Sequence, residues 1–274
     1  MCKKDYGENR GDIKKMNLKK YLKEISSRYL EKFKELKRRE ELRGVIRIEG
    51  PGNIVIRMDE ALDLSLREII AELGIPVIYF SEDAGKTKIG EGEPEYFILA
   101  DPLDGSRNFM RGIPFYGFSI ALADPKNPTS EGLLAGVVGD FVREELFITE
   151  ETYSKSEVRI GEKPIISSYD YGFFQNKSLE KLRKETACRT LGAMAIEVCY
   201  VAIGKLDAVV ELRYMGRPVD IAAAFLFLRR NGGIFVDPFG KPITFELNAR
   251  YGLSFIAARD QEILRKIMEI IDTI

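Results

Sequence analysis

Between about Ile13 and Leu42 apolar residues recur at three- and four-residue steps, at Leu18, Leu22, Ile25, Tyr29, Phe33 and Leu36. That is the spacing of one helix face and predicts a long amphipathic helix, with the polar residues 1–12 frayed ahead of it. The pattern then shortens. Val45–Ile48 and Ile54–Arg57 are brief apolar runs separated by Glu49-Gly50-Pro51-Gly52-Asn53 and predict a hairpin. A second helix is expected over about Glu60–Leu73, closed by Gly74, and Pro76 leads into a strand at Val77–Phe80 that ends on Ser81-Glu82-Asp83. Tyr96-Phe97-Ile98-Leu99-Ala100 reads as a buried strand, whose ladder Pro102 is expected to stop just after Asp101 because proline has no N–H to donate.

Phe115–Ala123, Leu133–Gly139 and Glu145–Ile148 are further apolar runs with tight connections, such as Asp124-Pro125-Lys126-Asn127-Pro128, and predict an antiparallel meander. A charged stretch, 150–163, precedes a candidate strand at Ile165-Ile166-Ser167. It suggests a seam between an N-terminal α+β half, 1–160, and a C-terminal α/β half, 161–274. From Thr190 helix and strand alternate. A helix is expected over Leu191–Ile203, ended by Gly204, then a strand over Leu206–Arg213. Another helix opens at Pro218, with the proline and Asp220 in its first turn, where both are favoured.

A chain of 274 residues can bury a full core as one large domain or two fused halves. Its 45% hydrophobic and 31% charged residues are ordinary for a soluble protein, and no apolar run approaches the roughly 20 residues needed to span a bilayer. Met1-Cys2-Lys3-Lys4-Asp5 lacks the apolar stretch of a signal peptide, so a cytoplasmic protein with no membrane partner is expected. The three cysteines, Cys2, Cys188 and Cys199, form no Cys-x-x-Cys pair and suggest neither a disulfide framework nor a thiolate zinc site. There is no histidine, which excludes Ser-His-Asp triads, histidine zinc sites and two-His-one-carboxylate iron sites. Only two glutamines stand among 85 charged residues, a bias that points to a thermophilic source.

The formal charge of −1 conceals an asymmetry: residues 1–43 hold 15 Lys/Arg against 8 Asp/Glu, leaving 27 against 35 in the rest. No aromatic stacking pattern or nucleic-acid motif accompanies the basic helix, so it reads as a solvated face and argues against a nucleic-acid partner. Gly85-Lys86-Thr87 resembles the end of a P-loop, but Phe80 stands where that motif needs its first glycine.

The chemistry gathers at Asp101-Pro102-Leu103-Asp104-Gly105-Ser106-Arg107-Asn108-Phe109. A strand that ends on one carboxylate is followed three residues later by a second. Gly105 and Ser106 then offer a tight turn and a helix start with outward N–H groups. Hard divalent cations take carboxylate and carbonyl oxygens, and a phosphate takes N–H donors and metal charge; this stretch offers both. Taken alone, Asp-Pro-x-Asp-Gly is as readily an acidic turn, and Ser81-Glu82-Asp83 is more often a solvated strand end.

The longer match, Asp-Pro-Leu-Asp-Gly-Ser-x-Asn-Phe, resembles the metal motif of the inositol monophosphatase superfamily, the magnesium-dependent, lithium-sensitive phosphatases that include fructose-1,6-bisphosphatases. Glu82, 19 residues before Asp101, falls where that superfamily has Glu-Glu or Glu-Asp. Asp220 with Ala222-Ala223, then Asn231-Gly232-Gly233, continue the likeness, which covers roughly residues 55–236. The resemblance implies a layered α-β-α-β-α sandwich of the sugar phosphatase type, mixed α+β and α/β, and commonly a homodimer. It implies Glu82, Asp101 and the Leu103 carbonyl as ligands of one metal, and Asp101, Asp104 and Asp220 as ligands of a second. Two or three magnesium ions are implied, with manganese as a substitute. Carboxylates crowded in this way repel one another unless cations compensate them, which supports the assignment physically.

By the same resemblance Asp59 and Ser106 pair to take the proton of the attacking water. Ser106 replaces the family's threonine, keeping the hydroxyl but lacking the methyl group that restricts its rotamer. Read by themselves, Ser106 caps a helix and Asp59 begins one. Gly105 and Ser106 N–H groups are expected to hold the phosphate, Glu211 or Arg213 the polyol hydroxyls, and Arg189 or Arg213 a second phosphate. Each arginine alone reads as a surface charge. The nine-residue step from Glu211 to Asp220 and the lack of tryptophan before Asp220 depart from the animal inositol monophosphatases, and Glu211-Leu212-Arg213 resembles the archaeal enzymes of dual specificity. The expected activity is hydrolysis of inositol 1-phosphate, fructose 1,6-bisphosphate or both. The alternatives are a phosphatase for NADP or adenosine 3′,5′-bisphosphate, and a non-catalytic regulatory protein that contacts RNA or a polymerase.

Overall fold

The computed structural model describes residues 10–48, 54–156, 163–169, 177–249 and 252–272. The seam expected between residues 160 and 161 lies outside them.

The predicted first helix is α1, Arg10–Leu36, and its stripe from Leu18 to Leu36 is buried as the spacing requires. It stops earlier than expected. Lys37, Arg38 and Arg39 bring no apolar anchor, and Glu40–Arg43 form a separate 3-10 turn. The hairpin is present as antiparallel β1, Val45–Ile48, and β2, Ile54–Ile56. The second helix, α2, spans Arg57–Glu72, so Asp59 lies inside its first turn instead of ahead of it. No described helix is long and apolar enough to cross a membrane.

β3, Val77–Ser81, pairs antiparallel with β4, Gly85–Ile89, which is where the rejected P-loop residues lie. On its other side β3 runs parallel to β5, Tyr96–Asp104. The meander follows as predicted. After the short helix α3, Ser106–Arg111, come β6, Gly117–Ala123, β7, Leu133–Asp140, and β8, Glu145–Ile148, all antiparallel, giving the order β4-β3-β5-β6-β7-β8.

Pro102 does not end β5. Asp101 pairs with Ser119 and Asp104 with Gly117, so two residues of β5 oppose one of β6 in a bulge. The residue without an N–H sits where the ladder asks for none.

A second sheet takes the order β10-β9-β11-β13-β12. Its members are β9, Ile165–Ser168, β10, Ala187–Arg189, β11, Ala208–Gly216, β12, Ile234–Val236, and β13, Leu253–Ala258. Helix α4, Lys177–Glu185, precedes β10, and α7, Gln261–Asp272, follows β13. Between the sheets lie α5, Met194–Ala202, and α6, Pro218–Arg230.

Burial along β5 shows the layering. Ile98 and Ala100 join a core with α1 and α2, whereas Phe97 and Leu99 join one with α5, α6 and the inner face of the second sheet. A third cluster joins that sheet's outer face, including Ile166, Val210 and Ile256, to Leu179 and Leu182 of α4 and Ile263 and Ile267 of α7. The result is an α-β-α-β-α sandwich. Every residue of α5 is buried, as a helix sandwiched by two sheets must be. At Gly136 of β7 a Cβ would stand 2.9 Å from that of Ala223, so the glycine is what lets α6 lie so close to the first sheet.

Candidate active site

β3 and β5 are parallel with Val77 opposite Tyr96 and Phe80 opposite Leu99, an offset of 19. Glu82 precedes Asp101 by the same 19 residues, so the two carboxylates leave adjacent strand ends at one level. They open onto a cleft of about 100 Å³. Its lining includes Asp59, Glu82, Asp83, Asp101, Leu103, Asp104, Gly105, Ser106, Arg217 and Asp220. All the expected metal and proton-transfer residues therefore share one small volume, brought there by α2, the ends of β3 and β5, α3 and the first turn of α6.

Several of these side chains also hold the fold. Asp59 reaches back to the Ile56 N–H at 2.8 Å, closing one half of a capping box; Ile56 has no side-chain oxygen for the other half. The Asp104 Oδ2 accepts the Ala195 N–H at 2.8 Å and so caps α5, whose own N-cap residue, Ala193, supplies no side-chain bond. Asp101 Oδ1 accepts from Leu103 N–H at 3.1 Å within the bulge. Gly105, at φ 86°, is the N-cap of α3, which moves Ser106 into the helix and leaves it without the capping role its residue type suggests.

Burial pushes the Asp59 carboxyl up to about 7, with Asp83 and Glu82 adding to the rise and the Ile56 N–H opposing it. Asp101 and Asp104 are also raised well above the ordinary carboxylate range, first by burial and then by the nearby Asp220.

One residue of the cleft went unnoticed in the sequence. Arg217 donates Nε to Asp220 Oδ2 at 3.0 Å and a terminal nitrogen to Asp220 Oδ1 at 2.9 Å, and its other terminal nitrogen bonds Glu82 Oε2. Burial works against its charge, but Asp220 and Glu82 outweigh that and hold the guanidinium protonated. Among the described residues no three carboxylates converge tightly enough, as they stand, to clasp one ion. The reason is visible in the bonding: the Asp220 oxygens and one Glu82 oxygen face the guanidinium, and one oxygen each of Asp101 and Asp104 faces a backbone N–H.

Two further groups, also missed, position the site. Buried Asp63 accepts from Tyr79 Oη at 2.7 Å, Ser81 Oγ at 2.6 Å and Arg67 Nε at 2.8 Å. Ser81 Oγ in turn accepts the Ala84 N–H at 3.0 Å and shapes the turn that carries Glu82. Asn108 donates to the carbonyls of Phe115 and Leu191, both at 2.7 Å, joining α3 to the loop before α5. An i+4 step from Asp59 to Asp63 was the available signal for the first, and the motif's own Asn for the second.

Gly105 and Ser106, expected at the phosphate, line the cleft, and the other three expected substrate residues are placed differently. Glu211, fully buried, and Arg213 engage each other, with Arg213 Nε 3.1 and 3.2 Å from the two carboxylate oxygens. Arg189 is exposed and donates to the Cys188 carbonyl at 3.0 Å. None of the three lines the cleft.

Comparison with known proteins agrees with this architecture. The model of the inositol monophosphatase family matches residues 13–272. The fructose-1,6-bisphosphatase of Pyrococcus furiosus is 34% identical over 83% of this chain and 87% of its own length. The fructose-1,6-bisphosphatase/inositol-1-monophosphatase of Thermococcus kodakarensis is 31% identical over 80% and 83%. A solved structure from Pyrococcus horikoshii, described as a hypothetical protein with similarities to inositol-1 monophosphatase, superposes with a TM-score of 0.73 at 30% identity. It covers 92% of this chain and 99% of its own. The matched span runs from the first turn of α1 to the end of α7, and the chain belongs to the inositol monophosphatase family.

Proposed function

We propose that this phosphoric monoester hydrolase acts on inositol 1-phosphate and fructose 1,6-bisphosphate, and that it depends on magnesium. The observation that carries the reading is the emergence of Glu82 and Asp101 at one level of two parallel strands, in a cleft shared with Asp59, Asp104 and Asp220. One relative named for fructose 1,6-bisphosphate and one named for both substrates support the choice.

The donor set fits a hard divalent cation: it is made of oxygens, and a cationic guanidinium already lies against two of its carboxylates. Glu82, Asp101 and the Leu103 carbonyl would hold one ion, and Asp101, Asp104 and Asp220 a second. Bound magnesium supplies a water of lowered pKa and neutralises charge on the transferring phosphoryl group.

The chain's own part is positioning and proton handling. Asp59, with its carboxyl raised to about 7 and one oxygen fixed by Ile56, is the acceptor for the water's proton. The Ser106 hydroxyl relays that proton, and the Gly105 and Ser106 N–H groups orient the phosphate. Glu211 and Arg213 enter as a mutually neutralised pair whose bonds substrate hydroxyls or a second phosphate would have to replace.

Free phosphate release tests the reading on inositol 1-phosphate, fructose 1,6-bisphosphate, NADP and adenosine 3′,5′-bisphosphate, with and without magnesium. Turnover of the first two, only with magnesium, is expected. Turnover of the nucleotides alone would replace the substrate assignment, and no turnover of any would favour a regulatory protein of the same fold.

A further inference from the structure

Arg217 precedes Pro218, and its backbone is extended at φ −115°, ψ 141°, as a residue before proline is driven to be. Placed at the N-cap of α6, it directs the guanidinium to a carboxylate of its own helix and to one at the end of β3. Asp220 is gripped through both oxygens, the fork geometry that suits arginine and a carboxylate. Glu82, 135 residues away in sequence, is joined through Oε2. Arg217 thus links two of the residues proposed above for different metals, and among the described residues it is the one cation lining the cleft, beside six carboxyl groups.

From this geometry we infer that Arg217 is a built-in counter-ion of the cleft that competes with one divalent cation for Asp220 and Glu82. The inference rests on the metal-dependent reading above and adds a residue to it. A lone pair that accepts a guanidinium N–H is engaged in that bond, and both Asp220 oxygens and Glu82 Oε2 are so engaged. A divalent ion gains the lone pairs so engaged only by displacing the arginine. Without an ion the arginine holds mutually repelling carboxylates together, so the cleft keeps its shape before it is loaded. The side chain is 30% exposed, which leaves it a route out of the cleft along the solvent side.

The test is calorimetric titration of Mn2+ alone into the chelator-stripped full chain, for wild type, R217K and R217Q, with thermal midpoints taken in EDTA and in Mn2+. R217Q is expected to bind Mn2+ at least tenfold more tightly, to melt lower than wild type in EDTA, and to gain more in midpoint from Mn2+. R217K, which keeps the charge and loses the fork, falls between them. If R217Q unfolds in EDTA, recovery of its far-UV circular dichroism on adding Mn2+ supports the inference and failure to recover overturns it. Equal or weaker Mn2+ binding by a folded R217Q also overturns it, with the metal-dependent reading left standing. If neither wild type nor R217Q takes up Mn2+, that reading falls, and the inference with it.

Discussion

The Ala195 N–H lies 2.8 Å from Oδ2 of Asp104, so a carboxylate at the end of a strand caps a helix of the next layer. Asparagine keeps an oxygen in that place and loses the charge. Asp104→Asn is therefore expected to fold with a stability change within about 1 kcal/mol and to lose about three orders of magnitude in magnesium-dependent phosphate release. Asp104→Ala loses the cap as well and costs roughly a further 1–2 kcal/mol. Urea denaturation beside a phosphate assay separates the two effects; near-normal turnover by the Asn variant would remove Asp104 from the metal set.

Asp59 is open to the same separation. Asp59→Asn leaves an oxygen for the Ile56 N–H and removes the proton acceptor, so kcat is expected to fall by about 10²–10⁴ with the melting temperature nearly unchanged. A variant with full kcat would exclude Asp59 as the base, and one that merely unfolds would reduce it to a cap.

Glu197 on α5 is fully buried and accepts Leu191 and Gly192 N–H at 2.8 and 2.9 Å through Oε1 and Ser167 Oγ at 2.8 Å through Oε2. Burial raises its carboxyl from 4.5 to about 7, although those bonds oppose the rise. The folded chain therefore binds this proton more tightly than the unfolded chain does. Its contribution to stability is complete below 4.5 and is lost as pH climbs to about 7. Glu197→Gln should match wild type at pH 5 and exceed it by about 2–3 kcal/mol at pH 8. Comparing urea unfolding of the two proteins at both pH values isolates this group from the other raised carboxyls; a constant difference would contradict the assignment. Glu197→Ala strands three donors and should cost about 3 kcal/mol or more at either pH.

Gly136→Ala tests the packing of the middle layer. The new methyl would meet the Ala223 Cβ at 2.9 Å, and α6, which carries Asp220, must give way. A loss of about 1–3 kcal/mol is expected, with weaker Mn2+ binding if the helix shifts. Calorimetric melting checks the first and titration the second.

The sequence showed the first sheet and its site well, because period and spacing report local geometry directly. The stripe from Leu18 to Leu36 lies on one buried face, and the 19-residue step from Glu82 to Asp101 equals the β3–β5 register. Pro102 misled because its missing N–H was counted as the end of a strand when it marks a bulge. In the last third, α7 carries a readable stripe at Ile263, Ile267 and Ile270. Three-residue strands such as β10 and β12 give no period to recognise. Arg217 had only the three-residue step to Asp220 as a local sign: an arginine before a proline reads as a surface charge until Glu82 is seen beside it.

Asp220 comes from the middle helical layer, 119 residues after Asp101 on the first sheet. A nascent chain that has passed the ribosome exit only as far as β8 can hold Asp59 on α2 and Glu82, Asp101 and Asp104 at the strand ends of a partly built sheet, but neither Asp220 nor the arginine that balances them. Until α6 is translated and docks, this acidic edge lacks the guanidinium that bonds Glu82 in the finished fold, which makes late synthesis the stage at which ambient cations can stand in for it.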